Sequence, residues 1–325
     1  MNTGIVGWGF YVPDKVLSNA DLEKIVDTTD EWITTRTGIK TRRIAEDSMA
    51  VSDMSANAAR RALDKAGLSP KDIDLIIVAT ITPDMFFPSS ACFVQKAIGA
   101  ENAACFDISA ACSGFIYAMD VARSLMSNSG YKNALVIAAE KLSAIADWED
   151  RNTCVLFGDG AGAVILSEVA SGGILSSYLG ADGTKDEMLY LPGGGSRNPS
   201  THKTVDDRLH YLKMSGNELF KIAVRIMAKS AEVALERAGL EKKDVKKLIP
   251  HQANSRIIWA TSKMLGLKEE QVFVNIDRYG NMSSASGAVA LCEVLDLKDI
   301  NKDDILLLVA FGGGLTWGAT AIKVS

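Results

Sequence analysis

Several things are scarce in this chain of 325 residues, and each scarcity closes a class of function. The five cysteines are odd in number and form no C-x-x-C pair, which disfavours a disulfide framework and a structural zinc site. Only three histidines occur, His202, His210 and His251, too few for a multi-histidine metal centre, so no metal is expected. Apolar runs such as residues 75–78 and 305–310 fall far short of the ~20 residues that cross a bilayer, and the chain opens on strand-like Gly4-Ile-Val6 instead of a signal segment. Thirty-five Lys and Arg against 40 Asp and Glu leave a net charge of −5 with no polybasic stretch, which disfavours a nucleic-acid or membrane partner. A cytoplasmic globular protein is the expectation.

What is present includes a long internal repeat. Ala62-Leu-Asp-Lys-Ala-Gly-Leu68 matches Ala234-Leu-Glu-Arg-Ala-Gly-Leu240, a period of 172 residues, and each copy runs on into an acidic residue and an apolar strand. Each reads as an amphipathic helix closed by a glycine cap and followed by a buried strand. A period this long, occurring twice, fits duplication of a domain-sized unit. The glycine-rich turn of Phe157-Gly-Asp-Gly-Ala-Gly162 and that of Phe311-Gly-Gly-Gly314 then close the two halves, each entering a final strand. The expectation is an α/β fold of two pseudo-duplicated halves, residues 1–170 and 171–325, with mixed, mainly parallel sheets covered by helices. Residues 181–207, with Pro192-Gly-Gly-Gly195, read as a long surface excursion.

Three segments carry candidate chemistry. Cys112 falls in Ser109-Ala-Ala-Cys-Ser-Gly114, between strand-like 104–108 and a helix with Phe115, Ala118, Met119, Ala122 and Met126 on one face. At such a turn, unpaired N–H groups and the positive end of the helix dipole favour a thiolate and a developing oxyanion. A buried, inert cysteine is the alternative at this point, and the other four cysteines read as core. His251 stands in Pro250-His-Gln-Ala-Asn254, at the end of the second copy of the repeated strand, the edge where open α/β sheets build sites. Asn281 stands in Tyr279-Gly-Asn-Met-Ser-Ser284, after a predicted strand over 272–276, near the counterpart of Cys112 in the other half. The glycine-rich turns lack the full dinucleotide and phosphate-loop spacings, so nucleotide binding is the weaker alternative.

Taken in order, these motifs resemble the β-ketoacyl-[acyl-carrier-protein] synthase III family of the thiolase superfamily. The resemblance also covers residues 30–39 (Asp-Glu-Trp-Ile-Thr-Thr-Arg-Thr-Gly-Ile), Phe87-Pro-Ser89, residues 151–161 and residues 311–318, and so spans the chain. It implies a five-layered αβαβα thiolase-like fold, a homodimer, and no permanently bound cofactor, acyl-CoA being a substrate. The implied reaction is a decarboxylative Claisen condensation of an acyl-CoA with malonyl-acyl-carrier protein through an acyl-cysteine, initiating fatty-acid synthesis. Cys112 would be the nucleophile. His251 and Asn281 would hold the enolate oxygen, and the backbone N–H groups of Cys112 and Gly313 the oxyanion of acyl transfer. The same matching puts Trp32 and Arg151 around the adenine of CoA, with Thr28, Arg36, Gly216 and Asn254 nearby, Arg256 in carrier-protein docking and Phe87 in the partner's acyl pocket. A priming synthase of secondary metabolism, a nucleotide-dependent oxidoreductase and a non-catalytic scaffold are the competing readings.

Overall fold

The repeat in the sequence becomes a repeat of local structure in the computed structural model, which describes residues 2–325. Gly67 and Gly239 end their helices at nearly the same left-handed geometry, φ 66°, ψ 27° and φ 68°, ψ 28°. Each N–H there bonds back into the last turn, and the following leucine N–H reaches Leu63 O at 3.1 Å or Leu235 O at 2.9 Å. Glycine suits this conformation because no Cβ opposes the positive φ.

Strands β1 (Thr3–Tyr11), β2 (Leu75–Ala79), β3 (Ala104–Ile108), β4 (Asn133–Lys141) and β5 (Asp159–Glu168) form one sheet in the order β1-β5-β4-β2-β3. Strands β6 (Gly173–Ala181), β7 (Val245–Pro250), β8 (Ile305–Gly312) and β9 (Thr316–Lys323) form a second in the order β7-β8-β9-β6. With β6 standing for β1, β9 for β5, β8 for β4 and β7 for β2, the two orders coincide. Both sheets are mixed. Parallel pairing joins β3, β2 and β4 in one sheet and β7 to β8 in the other, while the remaining neighbours are antiparallel, so parallel ladders are not the majority.

The helices are α1 (Asp30–Thr37), α2 (Val51–Ala66), α3 (Ser90–Ile98), α4 (Gly114–Ser129), α5 (Gly216–Ala238), α6 (Ser255–Leu265) and α7 (Ser284–Leu295). α4 and α7 pack between the two sheets, α2 and α3 cover the far side of the first, and α5 with α6 covers the far side of the second. This gives five layers. Strand β4 shows why it reads as one apolar run: Ala134, Val136 and Ala138 face the middle helices while Leu135, Ile137 and Ala139 face α2. On α4, Phe115, Ala118, Met119, Ala122 and Met126 are all buried, as the helical spacing requires.

Two segments bear on the expectations. Residues 181–207 run largely over the surface, with a helical turn at His202–Asp206 and a short ladder between Leu189–Tyr190 and Lys213–Met214. The strand expected over 272–276 is reduced to a single parallel bridge between Val272 and Leu248, and Ile276–Tyr279 is a turn of helix. The side chain of Gln252 stands in for the missing ladder. Its Oε1 accepts from Asn275 N at 3.0 Å and Ile276 N at 3.2 Å, and its Nε2 donates to Phe273 O at 3.2 Å.

Candidate active site

Cys112 lies in the tight turn Ala111–Ser113 that connects β3 to α4. Ala111 before it has φ 44°, a left-handed conformation rare for a residue with a Cβ, of the kind stored at nucleophile turns. The turn is clamped from the other half. Ser113 Oγ and Thr316 Oγ1 bond at 2.9 Å, and Thr316 Oγ1 also contacts Ala110 O at 2.9 Å and Gly313 O at 3.0 Å. Gly312 sits so close that an added Cβ would come within 2.6 Å of Cys112 N, so only glycine fits. Gly313 is one residue further on and packs against Leu189.

Burial pushes the Cys112 thiol up to about 12; the Ser283 hydroxyl acts in the opposite direction and the carboxyl of Glu140 adds to the rise. The sequence suggested a thiolate stabilised by the start of α4. Desolvation overrides that effect here and favours the neutral thiol. Beneath it is a narrow apolar pocket lined by Phe115, Ile116, Ile249, Ser284, Leu308 and Ala310, among others.

His251 follows β7, and its N–H donates to Val309 O at 2.7 Å, next to the pocket under Cys112. The residue is 4% exposed, and neither ring nitrogen has a partner. Burial lowers its pKa to about 4, so the imidazole is neutral over the physiological range. Asn281 is fixed by β-bridge bonds to the first half: its N–H donates to Leu156 O at 2.8 Å, and its carbonyl accepts from Gly158 N at 3.0 Å. Its Oδ1 accepts from Ser283 N at 2.8 Å, which leaves the side-chain NH2 as the group's donor. Cys112 and Asn281 are thus linked through Ser283, and Cys112 and His251 through the strand pair β7 and β8. An imidazole with no partner of its own and an amide whose oxygen is taken are thus held on the elements that surround the thiol, and groups of this kind can stabilise negative charge on a thioester oxygen.

A second cluster gathers around Trp32. The guanidinium carbons of Arg36 and Arg151 lie 5.0 and 5.1 Å from the centre of its indole. Arg151 also donates to Asp27 O at 2.7 Å, and Asn254 caps α6 while its Nδ2 donates to Arg36 O at 2.9 Å. The hydroxyl of Thr28 is buried without a partner. At about 5 Å the arginine stacks directly on the indole and leaves no slot for a purine between them, so the sandwich expected of Trp32 and Arg151 forms only if the exposed guanidinium swings away. Gly216 opens α5, and Arg256 is exposed on the first turn of α6 with its guanidinium 5.4 Å from the Phe220 ring. Phe86 and Phe87 are each 83% exposed, beside a groove of about 780 Å³ that also meets Met85, Lys141 and His210.

With this geometry in hand, comparison with known proteins gives a consistent result. A family model described as 3-oxoacyl-[acyl-carrier-protein] synthase III matches residues 106–183, and its C-terminal companion matches residues 235–324. A β-ketoacyl-[acyl-carrier-protein] synthase III of Caldanaerobacter subterraneus is 57% identical over 99% of this chain and 98% of its own. The crystal structure of the Aquifex aeolicus 3-oxoacyl-[acyl-carrier-protein] synthase III superposes with a TM-score of 0.92 at 50% identity, covering 99% of each chain. The chain belongs to the β-ketoacyl-[acyl-carrier-protein] synthase III family. It is therefore a condensing enzyme of the acyltransferase type with the thiolase-like fold. The priming β-ketosynthase of the R1128 polyketide pathway is also similar, with a TM-score of 0.92 and 36% identity over 99% of this chain and 96% of its own.

Relative to this synthase fold, the sequence reading missed the residues that hold the site together: Ser113, Thr316, Gln252, Ser283 and Glu140. Gln252 adjoins His251 in Pro-His-Gln-Ala-Asn, so the motif itself carried the signal. Among the described residues there is no cluster of three or more potential metal ligands, and no helix is long and apolar enough to cross a membrane.

Proposed function

We propose that this synthase condenses an acyl-CoA with malonyl-acyl-carrier protein, with loss of CO2, to give a 3-oxoacyl-carrier protein that starts a fatty-acid chain. The observation that carries the reading is the pairing of a neutral, unpartnered His251 with an Asn281 whose oxygen is already satisfied. In the first step the Cys112 sulfur bonds to the acyl carbon as the bond to CoA breaks, and the thiol proton leaves with CoA as its thiol. The backbone N–H groups of Cys112 and Gly313 hold the oxyanion. In the second step malonyl-carrier protein loses CO2, and His251 and Asn281 donate to the oxygen of the resulting enolate. The enolate carbon attacks the acyl-Cys112 thioester, and Cys112 departs with its electron pair and takes a proton from solvent to return to the thiol.

In the same reading CoA is a substrate and not a resident cofactor. It lies along Thr28, Trp32, Arg36, Arg151, Gly216 and Asn254, and its adenine displaces Arg151 from the indole. Arg256 meets the acidic carrier protein. A second copy of the chain covers Phe86 and Phe87 and pairs along the open edge of β3, bringing Phe87 to the partner's acyl pocket. The two halves divide at 1–170 and 171–325, a division supported by the matching strand orders, and the protein works in the cytoplasm. Intact mass spectrometry after treatment with acetyl-CoA and longer acyl-CoAs should find one acyl adduct on the wild type and none on Cys112→Ser. Malonyl-carrier protein should then discharge the adduct as a 3-oxoacyl product. A Cys112→Ser protein that is still acylated, or an adduct that malonyl-carrier protein never discharges, sinks the reading.

A further inference from the structure

Glu140, at the end of β4, is fully buried between the sheets, and among the described residues no cation pairs with it. Its two oxygens are treated differently. Oε2 accepts three donors: Ile81 N at 3.1 Å, Thr80 Oγ1 at 3.3 Å and Thr82 Oγ1 at 2.8 Å. Oε1 accepts from Ser284 Oγ at 3.0 Å, a hydroxyl that also lies 3.2 Å from Ala79 O, and the Ser283 hydroxyl stands near the same carboxyl. A serine hydroxyl has one hydrogen and here faces two acceptors. With Glu140 ionised, the Ser284 hydroxyl serves only one of these acceptors. With a proton on Oε1, the set closes: Glu140 Oε1–H donates to Ser284 Oγ, and Ser284 Oγ–H donates to Ala79 O.

The same carboxyl adjoins the nucleophile. Ser284 lines the pocket beneath Cys112, and Gly114 packs against it, with an ideal Cβ only 3.5 Å from the Ser284 Cβ. Ser283, 2% exposed and at the strained φ of 48°, places its hydroxyl between the Cys112 thiol and Glu140, and that hydroxyl has no well-formed bond of its own.

We propose that Glu140 is a positioning residue, held as a neutral acid protonated on Oε1, that governs the ionisation of Cys112 across the Ser283 and Ser284 hydroxyls. The inference rests on the reading of Cys112 as the acylated nucleophile. While Glu140 is neutral, the thiol can ionise next to an uncharged group. Once Glu140 ionises, a second negative charge in the same dry pocket opposes the thiolate. Burial raises the Glu140 acid to about 7, so this change falls within the working pH range.

Among the described residues no other charged group pairs with Glu140. Next along its own strand, Lys141 donates to the carbonyls of Glu46, Asp47 and Met49. On β5, Asp159 accepts from Ala45 N and Ser143. Beyond β2, Asp84 is engaged by Ser52, and at the far end of α7 Glu293 pairs with Arg278. α4 presents apolar Phe115, Ala118 and Met119, and His251, the other titratable group of the site, is neutral.

The test is Glu140→Gln, whose amide mimics the protonated acid: its oxygen accepts the three donors and its nitrogen donates to Ser284. Alkylation of Cys112 by iodoacetamide, followed on the Cys112 peptide by mass spectrometry, is compared with wild type from about pH 5.5 to 8.5. The ratio of variant to wild-type rate should be near one at the acid end and rise about tenfold at the alkaline end, one pKa unit of coupling, with a midpoint near 7. A ratio that stays flat across this range overturns the proposal, because a purely structural effect would not titrate. If Glu140→Gln does not fold, the infrared band of a protonated carboxylic acid in the wild type decides. The proposal requires the band at about pH 6 and its loss as pH rises through about 7; its absence at pH 6 refutes it. Alkylation needs no acyl-CoA. A protein that shows the coupling but takes no acyl group would refute the reading of Cys112 alone, and one that is acylated without coupling would refute this proposal alone.

Discussion

Holding His251 neutral has a stability signature that can be measured without substrate. Its pKa is lowered from 6.5 to about 4 because burial penalises the imidazolium and no acceptor offsets that penalty. Below about pH 6.5 the unfolded chain takes up a proton at this position that the folded chain refuses, so stability falls as pH drops through the window from 6.5 to 4. Above the window the contribution is fully present. At about pH 5 the difference in proton affinity amounts to about 2 kcal/mol at this one site, from the rule that one pKa unit is about 1.4 kcal/mol. Replacing His251 with Gln removes the titration while keeping a polar side chain of similar reach. Equilibrium urea denaturation of both proteins at about pH 7.5 and pH 5 isolates the effect, since every other carboxylate and histidine titrates alike in the two. Wild type should lose about 2 kcal/mol more than His251→Gln on acidification. Equal losses in the two proteins would refute the claim that the fold holds this imidazole uncharged, and with it the neutral donor used for the enolate.

Two further outcomes follow from the site and its surface. Asn281→Asp keeps an oxygen for Ser283 N–H but replaces the side-chain NH2 with a carboxylate that repels an enolate; decarboxylation of malonyl-carrier protein should fall about 100-fold or more, while acylation of Cys112 by acyl-CoA changes far less. Phe86→Asp together with Phe87→Asp puts two charges on the exposed aromatic pair, and light scattering should find a dimer for the wild type and a monomer for this variant; an unchanged mass would remove this face from the proposed interface.

The parts of the fold legible in the sequence are those set by short-range pattern. The glycine-capped helix and following strand occur twice because Gly67 and Gly239 solve the same local problem, and that repeat foretold two sheets of one design. Cys112, His251 and Asn281 each follow or interrupt an apolar run, so their place at the edge of a sheet was readable. Glu140 was not. Along the chain it is merely the polar residue ending an apolar strand, and its meaning comes from Ser284, 144 residues away. The closed stack of Arg151 on Trp32 was hidden for the same reason, because periodicity carries no information about which distant side chain fills a surface gap.

The one strand misread is also the feature that explains how the two halves make a single site. In the first sheet β3 is a full ladder partner of β2, and the chain leaving it turns at once into the Cys112 loop and α4. In the second sheet the corresponding segment meets β7 only around Val272, where Phe273 N donates to Leu248 O at 2.9 Å, because Gln252 takes up Phe273 O, Asn275 N and Ile276 N. Freed from the ladder, the chain makes a helical turn at Ile276–Tyr279 and crosses to the other half, where Asn281 bonds to Leu156 and Gly158. A complete fifth strand would have kept Asn281 with its own sheet, as β3 keeps Ile108. The breakdown of the internal symmetry at this strand is therefore what carries Asn281 and Ser283 to Cys112, and Gln252 supplies the hydrogen bonds that make the breakdown tolerable in a buried place.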